Sequence, residues 1–308
     1  MKGFRKFIIK ALSYPDISIK KIYKIYRRLL NLVNPYFRPR YNLLDYRVMA
    51  EDREIPVRIF IPQKNGSSKV MIFFHGGGWV TGNINSYTKV CQNMANRTRH
   101  TVISVDYLLA PEHPFPAGVE DCYLAAREII HNYDSLHSRP EDIALIGDSA
   151  GGNMAAVVSL MARDRGEILS GKQILIYPAT YNDHSEKSPF PSVRENGTGY
   201  LLTSKRIQDY MGLYVQSEED RNSPYFAPLL AKDLSKQPDT LIITAEYDPL
   251  RDEGEEYGKR LKEYGNYVET YCIKDALHGF FSLPWTSEYV KKCYDIINGF
   301  LWPNGLAK

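Results

Sequence analysis

Apolar residues near the start of the chain recur three and four apart. Phe4, Phe7, Ile8 and Leu12 form one such series, and Ile22, Ile25, Tyr26 and Leu29 a second. This spacing predicts two amphipathic helices with basic outer faces. The period then falls to two: residues 43–50 and 56–61 flank the polar turn Glu51-Asp52-Arg53-Glu54, the pattern of an antiparallel hairpin. Beyond it, short β-rich runs alternate with helical stretches. Strands are predicted at 70–74, 101–105, 143–146, 174–177, 240–245 and 268–273, and helices at 87–97, 119–133, 150–163, 252–264 and 287–301. Repeated βα units predict a mainly parallel sheet covered by helices on both faces, an α/β fold. Between residues 180 and 230 the alternation fails. That polar stretch, with a helix predicted at 204–215, reads as an insertion over the edge of the sheet.

Composition narrows the class without naming a function. With 308 residues, the chain has room for one large domain with its own core. No apolar run approaches the roughly 20 residues that cross a membrane. Cys91, Cys122, Cys272 and Cys293 are scattered, with neither metal-ligand spacing nor a signal peptide, so reduced thiols and a cytoplasmic setting are expected. The net charge of +3 hides an asymmetry: residues 1–40 hold 11 Lys/Arg against Asp16 alone, while the remainder carries 28 basic and 35 acidic groups. In the opening MKGFRKFIIKAL, Lys10 interrupts the apolar stretch and no cleavage site follows, so secretion is not expected. The basic helices read as a lid with a solvated face. Contact with a membrane surface or an anionic partner is the sharper alternative, limited to weak surface association, and no nucleic-acid partner is expected.

Two glycine-rich motifs bring in chemistry. Gly147-Asp148-Ser149-Ala150-Gly151 fits G-x-S-x-G between the apolar run 143–146 and an Ala-rich helical run. A serine hydroxyl is a weak nucleophile unless it is exposed beside a base, and a sharp strand-to-helix turn lifts it above the sheet. Such a turn brings backbones together, which demands small residues two before and two after the serine. His75-Gly76-Gly77-Gly78-Trp79 follows the strand at 70–74. Three consecutive glycines free the backbone to aim N–H groups at a ligand, as an acyl-transfer oxyanion requires. Gly77, Gly78 and Ala150 are the expected amide donors. No Lys-Ser/Thr follows the glycines, which argues against a phosphate-binding loop.

Together with YLLAPEHPFPA at 107–117, GDSAGG at 147–152, DPLRDEG at 248–254 and HGF at 278–280, the HGGGW motif resembles the hormone-sensitive-lipase-like esterases, the bacterial family IV carboxylesterases. The motifs run in family order across residues 75–280. The resemblance implies an α/β-hydrolase fold with a two-part helical cap, here residues 1–42 and an insertion near 182–222 within a catalytic domain spanning 43–308. NGTGYLLT at 196–203 resembles the segment leading into the cap helix.

This fold delivers its triad in the order nucleophile, acid, histidine. Of the seven histidines only His184 and His278 follow Ser149, and His184 precedes every candidate acid. His278, after the strand at 268–273 and beside Gly279, is the expected base. Asp248 stands just past the strand at 240–245, where open α/β sheets place functional groups. Glu246 and Asp252 compete with it, Asp252 as a cap of the following helix. The family resemblance selects Asp248. His113 reads as part of a proline-fixed loop, Asp148 as a residue that shapes the turn, and Trp79 and Tyr200 as candidate acyl-pocket residues that core packing would equally explain. A serine carboxylesterase acting on a small-molecule ester is therefore expected, with no metal or cofactor implied. An amidase or acyltransferase on the same triad is the first alternative. A small-molecule receptor is the second, since plant gibberellin receptors resemble this family while lacking its working histidine. The charged residues of the insertion, among them Asp183, Glu186, Lys187, Arg194, Glu195 and Asp209, suggest a polar lid over a confined pocket. By analogy with the family, acetyl to roughly octanoyl esters are the expected substrates.

Overall fold

The period-two segment forms a hairpin in which β1 (Leu43–Ala50) pairs antiparallel with β2 (Arg53–Phe60). Strand β2 starts three residues before its apolar pattern does. Arg53 and Glu54 pair with Ala50 and Met49, and their side chains find ionic partners in Asp121 and Arg47. In this computed structural model, residues 18–33, 43–50, 53–131, 139–167, 170–283 and 287–305 are described. The predicted helix carrying Phe4, Phe7, Ile8 and Leu12 lies outside them, as does the tip of the hairpin at residues 51–52.

Six further strands complete the sheet: β3 (Val70–Phe74), β4 (Thr101–Val105), β5 (Ile143–Asp148), β6 (Lys172–Ile176), β7 (Asp239–Tyr247) and β8 (Val268–Leu277). Their order is β1-β2-β4-β3-β5-β6-β7-β8, antiparallel through β2–β4 and parallel from β4 onward. Every residue of β3 and β5 is buried, as a parallel sheet covered on both faces requires. Side chains alternate between two cores. Ile72 and Phe74 face a core shared with α3 (Ala117–His131) and α4 (Ala150–Asp164), while Met71 and Phe73 face one shared with α2 (Thr88–Thr98) and α9 (Ser287–Leu301). Helix α4 is buried from Ala150 to Ala162, which accounts for its apolar character all round. Cys91, Cys122 and Cys293 are buried free thiols, and burial pushes all three pKa values up.

The segment after β6 carries α5 (Pro191–Glu195), α6 (Ser204–Tyr214) and the single turn α7 (Glu218–Arg221), before α8 (Arg251–Glu263) resumes the alternation. The N-terminal helix α1 (Ile19–Val33) packs on α6. Its orientation differs from the expected one. Ile25 and Leu29 are 58% and 50% exposed, while Ile19 is buried and Ile22, Tyr23 and Arg27 are half-buried. The later part of the apolar stripe, Ile25, Tyr26 and Leu29, faces outward, and Arg27 turns inward toward backbone carbonyls of the domain with its guanidinium over the Tyr23 ring. Among the described residues, no helix is long and apolar enough to cross a membrane.

Candidate active site

The chain runs from β3 outward to β4 and then returns to place β5 on the other side of β3. Open α/β sheets bind ligands at such a reversal, beyond the carboxyl ends of the strands. The expected site residues lie there: His75–Gly78 follow β3, Ser149 follows β5, Asp248 follows β7 and His278 follows β8.

Ser149 occupies a strained turn, with φ 57° and ψ −119°. A side chain at Gly147 would run into the carbonyl of Gly151, and one at Gly151 into the carbonyl of Phe74. Those clashes are the physical reason for the small residues on either side of the serine. The turn leaves Ser149 half-buried, with its Oγ 2.9 Å from His278 Nε2. On the other side of the ring, Nδ1 lies 2.7 Å from Asp248 Oδ2. A carboxylate accepts and does not donate, so the proton sits on Nδ1 and Nε2 is left to accept from the serine. Asp248 is fully buried. Its Oδ1 accepts the Leu250 N–H at 2.9 Å, and its backbone carbonyl accepts Asn196 Nδ2 at 3.3 Å. The three expected triad residues are therefore brought together.

The competing residues are engaged elsewhere. Glu246 accepts the Asp275 N–H at 2.7 Å. Asp252 does not cap its own helix: Leu250 holds that position without a side-chain bond, and Asp252 Oδ2 accepts the Ser192 N–H at 2.7 Å at the start of α5. The cap is exported because Ser192 Oγ, bonded to the Pro249 carbonyl at 2.9 Å, holds α5 against the acid loop. His184 is buried against Glu253, with Nε2 2.6 Å from Oε2. His113 is exposed.

Among the described residues, the amides of Gly77, Gly78 and Ala150 have no protein acceptor. Around them the loop is tightly held. Gly76 N–H donates to Asp148 Oδ1 at 2.8 Å, and Tyr107 OH donates to the His75 carbonyl at 2.6 Å. The His75 ring stacks on Tyr107 at 4.4 Å, and burial lowers its pKa, so it stays neutral as a structural ring. Trp79 is buried, stacked on Tyr214 at 5.0 Å, and its Nε1 donates to Asn153 at 3.2 Å. Tyr200 is buried and stacks on Tyr247 at 5.4 Å.

Sequence reasoning missed two tyrosines. Tyr177, just past β6, sets its ring 4.7 Å from that of His278 and its hydroxyl 3.3 Å from Asp148 Oδ2. Tyr87 OH reaches the same oxygen at 3.1 Å. No motif surrounds either one; the position of Tyr177 at the carboxyl end of a predicted strand is the one available signal. Asp148 thus joins the loop after β3, the serine turn and the wall behind the histidine. Burial pushes its pKa up to about 6, against the opposing effect of its hydrogen bonds. An acid whose pKa is raised on folding favours the folded state while protonated, and that contribution is lost as pH climbs through the folded value. Asp148→Asn cannot ionise. Its melting temperature relative to wild type is therefore expected to improve from about pH 4 to about pH 8, as thermal denaturation across that range would reveal. A difference that moved the other way would contradict the burial effect.

The sheet and the Ser–His–Asp arrangement at its carboxyl edge define a class, the α/β-hydrolases. Residues 71–282 match the model of a family described as alpha/beta hydrolase fold. An arylesterase of Saccharolobus solfataricus is 39% identical over 247 residues, covering 80% of this chain and 79% of that protein. An ethyl acetate hydrolase of Pseudomonas putida is 32% identical over 230 residues, covering 73% and 71%. The solved Pyrobaculum calidifontis esterase superposes with a TM-score of 0.85 at 35% identity, covering 99% of this chain and 100% of that one. The chain belongs to the α/β-hydrolase-fold family, in its hormone-sensitive-lipase-like branch, and is a serine carboxylesterase.

Proposed function

We propose that the protein hydrolyses short-chain esters through acylation of Ser149. The supporting observation is the hydrogen-bonded series from Ser149 Oγ through both nitrogens of His278 to Asp248, beside three amides without protein acceptors. Oγ attacks the ester carbonyl while Nε2 takes its proton, and the oxyanion forms against the N–H groups of Gly77, Gly78 and Ala150. Collapse of the tetrahedral species breaks the bond to the alkoxy oxygen, which leaves as alcohol with the proton from Nε2. Water, deprotonated by the same nitrogen, attacks the acyl-enzyme and releases the acid. Asp248 holds the imidazole in its tautomer and stabilises the imidazolium without taking the proton.

Residues 1–42 and the insertion near 182–222 are read as the cap. The insertion is held by polar contacts: His184 reaches Glu253 of α8, while Arg194 and Arg206 bind the Ser188 and Leu201 carbonyls within the insertion itself. A lid built this way favours a confined pocket over a broad apolar surface for aggregated lipid, and the activity named for the Pseudomonas relative points to small esters. Trp79 and Tyr200, both buried, are read as the packed wall behind the ester. The test is a chromogenic series from acetyl through butyryl and octanoyl to palmitoyl, with and without anionic vesicles. Turnover is expected to peak at or below octanoyl and to be insensitive to vesicles; a palmitoyl peak, or strong vesicle activation, would defeat the short-chain reading.

A further inference from the structure

The loop after β3 adopts a conformation that it does not favour by itself. Gly77, Gly78 and Trp79 have φ of 127°, 61° and 59° in succession, and Trp79 lacks the freedom of glycine. Such backbone persists when its surroundings over-determine it. Asp148 secures the inner end through Gly76, and the Gly77 carbonyl accepts the N–H groups of Val80 and Thr81 at 3.2 and 2.9 Å.

The outer end is secured from α1. Arg27 Nε donates to the Val80 carbonyl at 2.6 Å, and Nη2 donates to the Ala110 carbonyl at 2.7 Å. The Ala110 N–H donates in turn to the Trp79 carbonyl at 2.9 Å, so the guanidinium closes a ring of bonds around Trp79, Val80 and Ala110. Val80 and Ala110 are fully buried, which leaves water poorly placed to substitute for the arginine. The rest of the fork meets the Glu112 carboxylate, Nη1 at 3.1 Å and Nη2 at 3.0 Å. Three acceptors in three directions suit a planar guanidinium and not a single ammonium.

We propose that Arg27 is a positioning residue for ester hydrolysis: through the Val80 and Ala110 carbonyls, it holds the Gly77 and Gly78 amides where the oxyanion forms. This rests on the reading of those amides as oxyanion donors, and it makes α1 a working part of the active site. Specificity for the ground-state ester is not its task. Loss of Arg27 therefore lowers kcat and leaves KM nearly unchanged.

The full-length enzyme is assayed as Arg27→Met, which keeps an unbranched side chain without the donors, and as Arg27→Lys, which keeps the charge. Both are expected to lose about tenfold in kcat, less than the roughly 100- to 1000-fold of losing a donor outright, with KM within about threefold. A trifluoromethyl ketone matched to the best ester forms a tetrahedral oxyanion adduct on the serine, and its affinity is expected to fall by the same factor as kcat/KM. Asn31→Ala removes a neighbouring contact of α1, Asn83 Nδ2 to Asn31 Oδ1 at 3.0 Å, and is expected to leave kcat unchanged. A Met variant with wild-type kcat and ketone affinity would overturn the proposal while leaving the oxyanion reading intact. So would a loss confined to KM, or an equal loss in Asn31→Ala. If the Met variant does not fold, the Lys variant decides, and wild-type kcat and ketone affinity in it overturn the proposal. A trifluoromethyl ketone that bound the wild type no better than the plain methyl ketone would instead remove the oxyanion reading, and the proposal with it.

Discussion

Ser149→Ala is expected to lower kcat by about 10⁵- to 10⁶-fold, the scale of losing a serine nucleophile outright. The side-chain hydrogen bond that disappears is the one to His278, and the turn itself is held by backbone bonds: Ser149 N–H to the Ile176 carbonyl at 2.9 Å, and Asn153 N–H to the Ser149 carbonyl at 3.0 Å. The variant therefore keeps its fold, and a wild-type melting transition separates lost chemistry from lost structure. His278→Ala is expected to be comparably damaging, and Asp248→Asn to cost about 10⁴-fold because the imidazole is then held in the wrong tautomer. The readouts are steady-state kinetics and labelling by a fluorophosphonate probe, which reports the nucleophile without any assumption about substrate. Retention of more than about one part in a hundred of wild-type turnover in Ser149→Ala would remove the assignment.

Gly77→Ala carries the second large effect. At φ 127° an L-residue is strained whatever space surrounds it, and here the added methyl would also run into the Thr81 carbonyl oxygen. The loop must open to admit it, which carries the Gly77 and Gly78 amides away from the serine. Removal of one preorganised oxyanion donor costs about 100- to 1000-fold, and a loss in that range is expected in kcat with the acyl-chain preference unaltered. Pre-steady-state acylation rates give the measurement. An alanine variant that acylates at the wild-type rate would mean that these amides do not serve the oxyanion.

Much of the scaffold was legible because it is local. The strands at 70–74 and 101–105 and the helix at 287–301 agree with the structure to the residue, since apolar runs bounded by turns leave little freedom. Strand β8 runs four residues beyond its predicted end. Its pairing with β7 shifts register between Ala245 and Tyr247, and the turn chemistry near Asp275 carries no apolar signal. The expected triad was readable from motif, chain order and resemblance together. What surrounds it was not. Tyr87 and Tyr177 reach Asp148 across 61 and 29 residues, and Arg27 reaches Val80 across 53. Contacts at such separations have no periodicity to detect. Helix α1 illustrates the same limit: a hydrophobic pattern identifies an amphipathic helix, but cannot weigh its apolar stripe against three carbonyl and carboxylate acceptors waiting for one arginine.

The position of the histidine also bears on how the enzyme fails when heated. His278 follows β8, an edge strand, which among the described residues pairs with β7 alone, and Tyr271 stands exposed along it, as does Tyr267 just before it. An edge element opens at a lower free energy than the centre of a sheet. Ser149 is tied to β5 and α4 in the interior, whereas its proton acceptor hangs from the margin. Turnover is accordingly expected to fail on heating at the periphery of the sheet, before the interior melts, and strengthening the already dense interior is expected to raise the melting point further than the temperature at which turnover stops.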